Sequence, residues 1–154
     1  MSFRIRGLDA AQFVPLFILS DDDLAERSMK RVVADAPRSA PCRVTLQDAE
    51  PGEALILLPF AHYLAHSPYR ASGPIFVREK AAQPFDAVDT LPPVFEGRLL
   101  SVRAYDAHGD MTAAEVVDGD PRALFDQFFA DLAVAHIDVH YARRGCFGAR
   151  VTRA

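Results

Sequence analysis

Apolar and polar residues alternate most regularly near the end of the chain. Residues 136–140 read His-Ile-Asp-Val-His, and on a strand every second side chain shares a face. His136, Asp138 and His140 would therefore line one side, with two branched apolar residues on the other. We call these three residues the polar stripe. The pattern predicts a strand whose polar stripe faces water or a pocket, behind a buried apolar face.

The same stretch is expected to form a hairpin with the residues that follow it. A three-residue loop at 143–145, whose last residue is a glycine suited to the left-handed conformation, sets Asp138 opposite Arg150 and His140 opposite Gly148. A two-residue loop would set charged side chains opposite apolar ones. Because the side-chain pattern fixes the register, the sequence predicts the three-residue loop.

Other stretches of alternating or continuous apolar residues predict further strands, at 1–7, 41–47, 54–58, 74–78, 98–106 and 111–117. Residues 54–58 are apolar on both faces, which indicates a central strand, and Pro59 is expected to end it or to sit at its edge. The last two strands flank a turn at 107–110. Pairing of opposite charges favours an odd-length loop that sets Arg103 opposite Glu115.

Three segments predict helices. Residues 8–17 suggest a short helix that begins at an aspartate cap. Ser20 with Asp23 resembles a capping box, and this helix is expected to run to about Lys30. A third helix, over 121–132, has an Asp-Pro start and apolar residues at helical spacing.

These elements predict an α+β fold: a single domain over 1–154, with a mostly antiparallel sheet of about six to eight strands covered by two or three helices. Residues 81–97 contain three prolines, and no strand or helix periodicity continues through them. They are interpreted as a surface connection, with a lid over a site as the alternative.

The composition narrows the functional classes. A net charge of −4 and a pI near 5.7 argue against a nucleic-acid-binding protein. No apolar run is long enough to cross a membrane, no signal peptide is visible, and two cysteines are too few for a disulfide framework. A cytoplasmic location is therefore expected. All basic residues except Lys30 and Lys80 are arginine. This preference is interpreted mainly as the codon usage of a GC-rich bacterial genome, but arginine also suits the binding of anions.

An anion site is the first candidate chemistry. Residues 67–74 form a hydroxyl-rich turn with Arg70 at its middle, and Arg43 lies on a neighbouring predicted strand. Guanidinium groups and loop amides can hold a carboxylate or phosphate, although no glycine-rich phosphate motif is present. Arg43, Arg70 and the polar stripe are therefore the predicted ligand-binding residues.

A metal site is a further candidate. Two ligands at i and i+2 on a strand can bind an ion, so Asp138 with either stripe histidine would serve, and His62, His66 or His108 would have to complete the set. HEXXH and CXXC motifs are absent. No residue is assigned as a metal ligand.

A thiol nucleophile is the last candidate. In the predicted register Cys146 lies diagonal to His140 on the same face, and Arg143 and Arg144 would favour its thiolate form. Cys146 and His140 are thus weak catalytic candidates, since no third member of a triad can be identified. Cys42 lies in an apolar alternation and is expected to be buried and inert.

Four blocks of the chain resemble a known family. They read FRIRGL at 3–8, PCRVTLQDAEPGE at 41–53, SPYRASGPIFVRE at 67–79 and HIDVHYARRGCFGARV at 136–151. Over nearly the whole chain they resemble an uncharacterised bacterial family, domain of unknown function 1203 (DUF1203). The resemblance implies a small single-domain bacterial protein and supplies no reaction, ligand, cofactor or catalytic residue.

Three functional hypotheses remain open after the sequence. The first is a protein or enzyme of unassigned reaction that binds a small anionic molecule. The second is a structural or interaction module that forms a homodimer through a sheet face or edge. The third is a metal-binding protein. The cofactor, if there is one, is not indicated.

Overall fold

Nine strands and two helices make up the protein in a computed structural model that describes residues 1–154. The strands are β1 (Phe3–Arg6), β2 (Lys30–Val33), β3 (Ala54–Tyr63), β4 (Ala71–Arg78), β5 (Asp86–Val88), β6 (Leu99–Asp106), β7 (Met111–Asp118), β8 (Val134–Tyr141) and β9 (Phe147–Arg153). The helices are α1 (Asp21–Glu26) and α2 (Arg122–Phe129), and 3₁₀ turns occupy Ala10–Gln12, Val14–Leu16 and Pro93–Phe95. The predicted α+β class is confirmed.

The larger sheet has six strands in the order β5-β1-β9-β8-β6-β7, all antiparallel. Its apolar face carries the main core, in which Ile137 and Val139 of β8 are fully buried. Phe125, Phe128 and Phe129 of α2 cover this face. The predicted amphipathic helix therefore exists, although it ends at Phe129 and not at 132.

The smaller sheet has three strands, in the order β2-β3-β4. β3 is central, as its apolar sequence predicts. It does not end at Pro59, but its pairing with β2 ends at Leu57, so Pro59 lies where β3 is an edge strand, the second of the two expected places. Pro59 lies opposite Pro74 and the strand continues to Tyr63. A proline is tolerated where its nitrogen owes no hydrogen bond to the ladder. The continuation matters because His62 and Tyr63 lie against the polar face of the larger sheet.

Two of the predicted segments fold differently from the expectation. The helix that begins at Ser20 ends at Glu26, because Ser28 adopts a left-handed conformation (φ 59°) and Lys30 already belongs to β2. Ser20 itself is the expected cap and accepts the Asp23 N–H. Residues 41–47 form turns with isolated bridges and not a strand, and Leu46 has φ 48°.

The segment 8–17 also differs from the predicted helix, since it forms only two 3₁₀ turns; Asp9 caps the first of them through the Ala11 N–H. Residues 81–97 are attached to the rest of the fold. β5 pairs with β1 in the larger sheet, and Val94 and Phe95 are buried in the main core.

Both predicted hairpins form, with changes of register. In the β6–β7 hairpin Val102, not Arg103, lies opposite Glu115, and a bulge follows Ala104. β7 is an edge strand with mostly exposed side chains, so the side-chain pattern specifies its register weakly. No helix in the structure is long and apolar enough to span a membrane.

Candidate functional site

The polar stripe lies on β8, in the interior of the protein. Asp138 and His140 are at most 1% exposed, and His136 is half-buried. Of the two alternatives expected for this face, water or a pocket, exposure to water is therefore wrong. The reason is that the end of β3, a strand of the other sheet, lies across it.

A bulge in β3 aims two neighbouring side chains at the stripe. The β3–β4 register shifts by one residue between Phe60 and Tyr63, and such a bulge lets successive residues leave strict alternation. The His62 ring lies 5.0 Å from that of His140, and the Tyr63 ring 4.4 Å from that of Tyr105. Imidazoles and phenols from three strands thereby meet. We call this group the buried cluster; it consists of His62, Tyr63, Tyr105 and the polar stripe.

Asp138 is the anionic centre of this cluster. Its two carboxylate oxygens accept from Arg150 Nε at 2.7 Å and Nη2 at 2.9 Å, so the predicted pairing of these residues across the hairpin is present. His136 Nε2 lies 3.9 Å from the same carboxylate. The ligand atoms of His62, Asp138 and His140 all lie within 4.8 Å of one another.

The histidines of the cluster are neutral at pH 7. Burial lowers the pKa of His140 to about 4 and also lowers the pKa values of His62 and His136. His140 Nδ1 donates to the Gly145 carbonyl at 2.9 Å, which leaves Nε2 as a bare lone pair. That Nε2, His62 Nδ1 and His136 Nε2 are buried and have no hydrogen-bond partner.

A second region, here named the arginine cavity, lies beside the turn that joins β8 and β9. It encloses about 330 Å³, a volume within the range of small-molecule sites. The side chains that give it chemical character are Arg38, Arg43, Arg98, Tyr141, Arg143, Arg144 and Cys146.

Arg43 is the central cation of the cavity. It is 1% exposed, and its nitrogen atoms donate to the carbonyls of Phe147 and Pro41 and to the Cys146 sulfur, at 3.2 Å. None of these bonds goes to a carboxylate. A buried charge without a counter-charge is costly, so an anion beside this guanidinium would be stabilising.

Two guanidinium groups of the cavity lie close to the Tyr141 ring. Arg43 lies 4.8 Å and Arg98 5.4 Å from the ring centre, both within cation–π range. Arg98 is neutralised by Asp48, whose oxygens accept at 2.7 and 3.0 Å. Burial raises the pKa of Tyr141 to about 12, and its hydroxyl has no protein partner.

The predicted pairing of Cys146 with His140 does not form. A bulge at Gly148 sets His140 opposite Phe147, not opposite Gly148, and the Tyr141 N–H donates to the Cys146 carbonyl. Cys146 therefore lies with Tyr141 in the arginine cavity, whereas His140 points to the buried cluster. Gly148 is suited to the bulge, because a Cβ there would come within 2.9 Å of the Val139 carbonyl.

The structure thus divides the single predicted pocket into two regions. Arg43 lines the arginine cavity, and the polar stripe belongs to the buried cluster. Arg70 lines neither; it is exposed and donates to the Leu64 carbonyl at 2.8 Å. The sequence did not predict Arg38 and Arg98 as site residues, because they belong to segments far from residues 141–146 along the chain and only the fold brings them together. The Arg143-Arg144 pair beside Cys146 was the only local signal.

Comparison with known proteins gives a family for this chain but no activity. A family model described as "Protein of unknown function (DUF1203)" matches residues 39–153, which is 115 of the 154 residues. No curated protein and no solved structure matches the chain. The match includes all arginines of the cavity except Arg38, and all residues of the buried cluster. The chain therefore belongs to the DUF1203 family of proteins of unknown function.

Proposed function

We propose that the protein binds a small anionic molecule, a carboxylate or a phosphate ester, in the arginine cavity. The observation that carries the proposal is the buried guanidinium of Arg43, which has no carboxylate partner. An anion at this position would supply the missing counter-charge through charge-assisted hydrogen bonds.

The charge around the cavity supports the same ligand class. Arg143 and Arg144 are exposed beside it, and neither takes part in an ion pair. Among the cavity arginines only Arg98 is neutralised, by Asp48. This concentration of positive charge contrasts with the net charge of −4 of the chain, and such a local field attracts anions.

Cys146 gives the cavity a nucleophile, and an enzymatic role for this thiol is part of the proposal. Its sulfur accepts from Arg43 at 3.2 Å, and the residue is partly exposed. His140 would not serve as its base, because the imidazole is held by Gly145 outside the cavity.

The direct test is calorimetric titration of the full chain with inorganic phosphate and with citrate. Arg144→Gln keeps the buried core intact and should weaken binding about 10-fold or more, since a hydrogen bond to a charged group contributes about 1.5–3 kcal/mol. Arg43→Met should abolish binding. Arg70→Gln is the matched control, an exposed arginine outside the cavity, and should bind as the parent does. Equal weakening by Arg70→Gln would contradict the proposal.

Alkylation of Cys146 by iodoacetamide gives an independent measurement. A bound anion should slow the reaction, because Cys146 lines the cavity. Cys42 is fully buried and serves as the unreactive internal control. A rate that phosphate and citrate leave unchanged at saturating concentration would speak against binding beside Cys146.

Self-association is the second candidate function. β7 is an edge strand, and Val116 on it is 57% exposed, which leaves an edge available for pairing with another chain. Light scattering after size-exclusion chromatography would find a dimer that Val116→Lys dissociates.

The free cysteines fit the cytoplasmic location in a bacterium that we propose for either function.

A further inference from the structure

The buried cluster contains more unsatisfied nitrogen atoms than a structural role explains. His140 Nε2 and His62 Nδ1 are buried without a partner, and leaving such an atom unpaired is destabilising. In native proteins, groups of this kind usually face an ion or an ordered water. Two imidazoles and the buried Asp138 carboxylate converge here.

We propose that His62, Asp138 and His140 bind one divalent transition-metal ion, of the zinc or iron(II) class. Two imidazoles and one carboxylate form a known ligand set for both metals. The three ligand atoms lie within 4.8 Å of one another, whereas a tetrahedral zinc site holds them roughly 3.3 Å apart. The half-buried His62, at the bulge of β3, can close this gap by rotation of its side chain.

His140 is prepared for this role by its second nitrogen. Nδ1 donates to the Gly145 carbonyl, which orients the ring and fixes the tautomer with Nε2 unprotonated. Metal-binding histidines almost always have such an outer partner. His140 is also 1% exposed, so its lone pair lies in the interior, where water competes weakly.

Arg150 is the outer partner of Asp138. Its two bonds to the carboxylate leave each oxygen a second lone pair, and carboxylates that bind metals are commonly hydrogen-bonded in this way. Arg103 lies opposite Asp138 on the neighbouring β6. Its positive charge and that of Arg150 oppose the cation, however. Three protein ligands leave a fourth position, and a hydroxide or another anion at that position would offset this charge.

The test uses the full chain without a histidine tag, stripped with a chelator and titrated with Zn²⁺ alone by calorimetry at pH 7.5. We expect one ion per chain, and Co²⁺ in its place should give the visible absorption of a tetrahedral site. His62→Gln should raise the Kd at least about 100-fold, the upper end of the cost of losing an outer partner. His140→Asn should do the same.

The controls separate this site from adventitious binding. His66→Gln and His108→Gln remove exposed imidazoles and should leave the Kd unchanged. Circular dichroism verifies folding, and if His140→Asn does not fold, the half-buried His62 decides the question alone. Absence of stoichiometric binding at millimolar Zn²⁺, or an unchanged Kd in His62→Gln, would overturn the proposal. Neither result bears on the arginine cavity, whose residues are different.

Discussion

The two faces of β8 are both buried, but by different means. On one face Ile137 and Val139 pack beneath the phenylalanines of α2. On the other, Asp138 and His140 lie beneath His62 from the smaller sheet. Apolar side chains need only to be removed from water, whereas polar ones also need partners. The apolar face is consequently complete, while the polar face retains unpartnered imidazole nitrogens.

This difference bears on the metal site proposed for the polar face. Burial of a polar stripe is stabilising only if every group is satisfied, and a fully apolar stripe would be the simpler solution for stability. A cluster that keeps bare lone pairs in the interior therefore points to a ligand. The comparison between the faces can be tested by substitutions on each of them.

The largest effect is expected for Arg150→Met. This change leaves the fully buried Asp138 without its counter-ion and should lower the free energy of unfolding by about 3–5 kcal/mol at pH 7. Urea denaturation measures it. The double variant with Asp138→Asn should recover part of the loss, because the uncompensated charge is removed. If the free energy of unfolding fell no more than it does in Ile137→Val on the opposite face, water would have to reach the cluster and solvate the Asp138 carboxylate.

The next effect is the pH dependence that the histidines confer. Burial lowers the pKa of His140 from 6.5 to about 4, so the unfolded chain binds the proton more readily. Stability is therefore complete above pH 6.5 and is lost as the pH falls from 6.5 to 4, by roughly 3 kcal/mol. Urea denaturation across this range should show the slope in the parent and a smaller slope in His140→Asn. Equal slopes would contradict burial of His140 in a neutral form.

On the apolar face Ile137→Val should cost about 0.5–1.5 kcal/mol, since it removes one methylene group from a packed core. The cost should not depend on pH between 5 and 8 or on salt concentration, because no charged group is involved. The same denaturation series measures it. A marked salt dependence would indicate that the apolar and polar faces are energetically coupled.

The smallest effect is expected for the exposed ion pair at the sheet edge. Hydrogen bonding to Arg4 lowers the pKa of Asp86 to about 2, but both side chains are open to solvent and screened by salt. Asp86→Asn should shift the urea midpoint less than Ile137→Val does, and high salt should remove even this shift. A larger shift would mean that the anchoring of β5 on β1 depends on this ion pair.

Much of the local structure was predictable because its signals are local. The alternation in 136–140 predicted β8, its two faces and the pairing of Asp138 with Arg150. The continuous apolar run in 54–58 predicted the central β3. Helix α2 followed from apolar residues at helical spacing. These features depend on neighbours a few positions apart, so the periodicity reveals them.

The candidate sites were less predictable, because each depends on a deviation from regular pairing. The bulge in β3 turns His62 toward β8, and the bulge at Gly148 separates Cys146 from His140. A one-residue shift exchanges the two faces of a strand. His62 was one of three possible metal ligands in the sequence, and nothing in its spacing selected it over His66 or His108.

The amino-acid sequence alone determined the fold class, the existence of most strands and the side chains that share each face of β8. These follow from backbone geometry, which repeats every two residues along a strand. Only the tertiary structure decided that the polar stripe is covered and that Arg43 meets Arg98 and Cys146 instead of Arg70. The physical reason is that such contacts depend on how the two sheets pack against each other and on single-residue bulges. Neither feature produces a periodic pattern in the sequence.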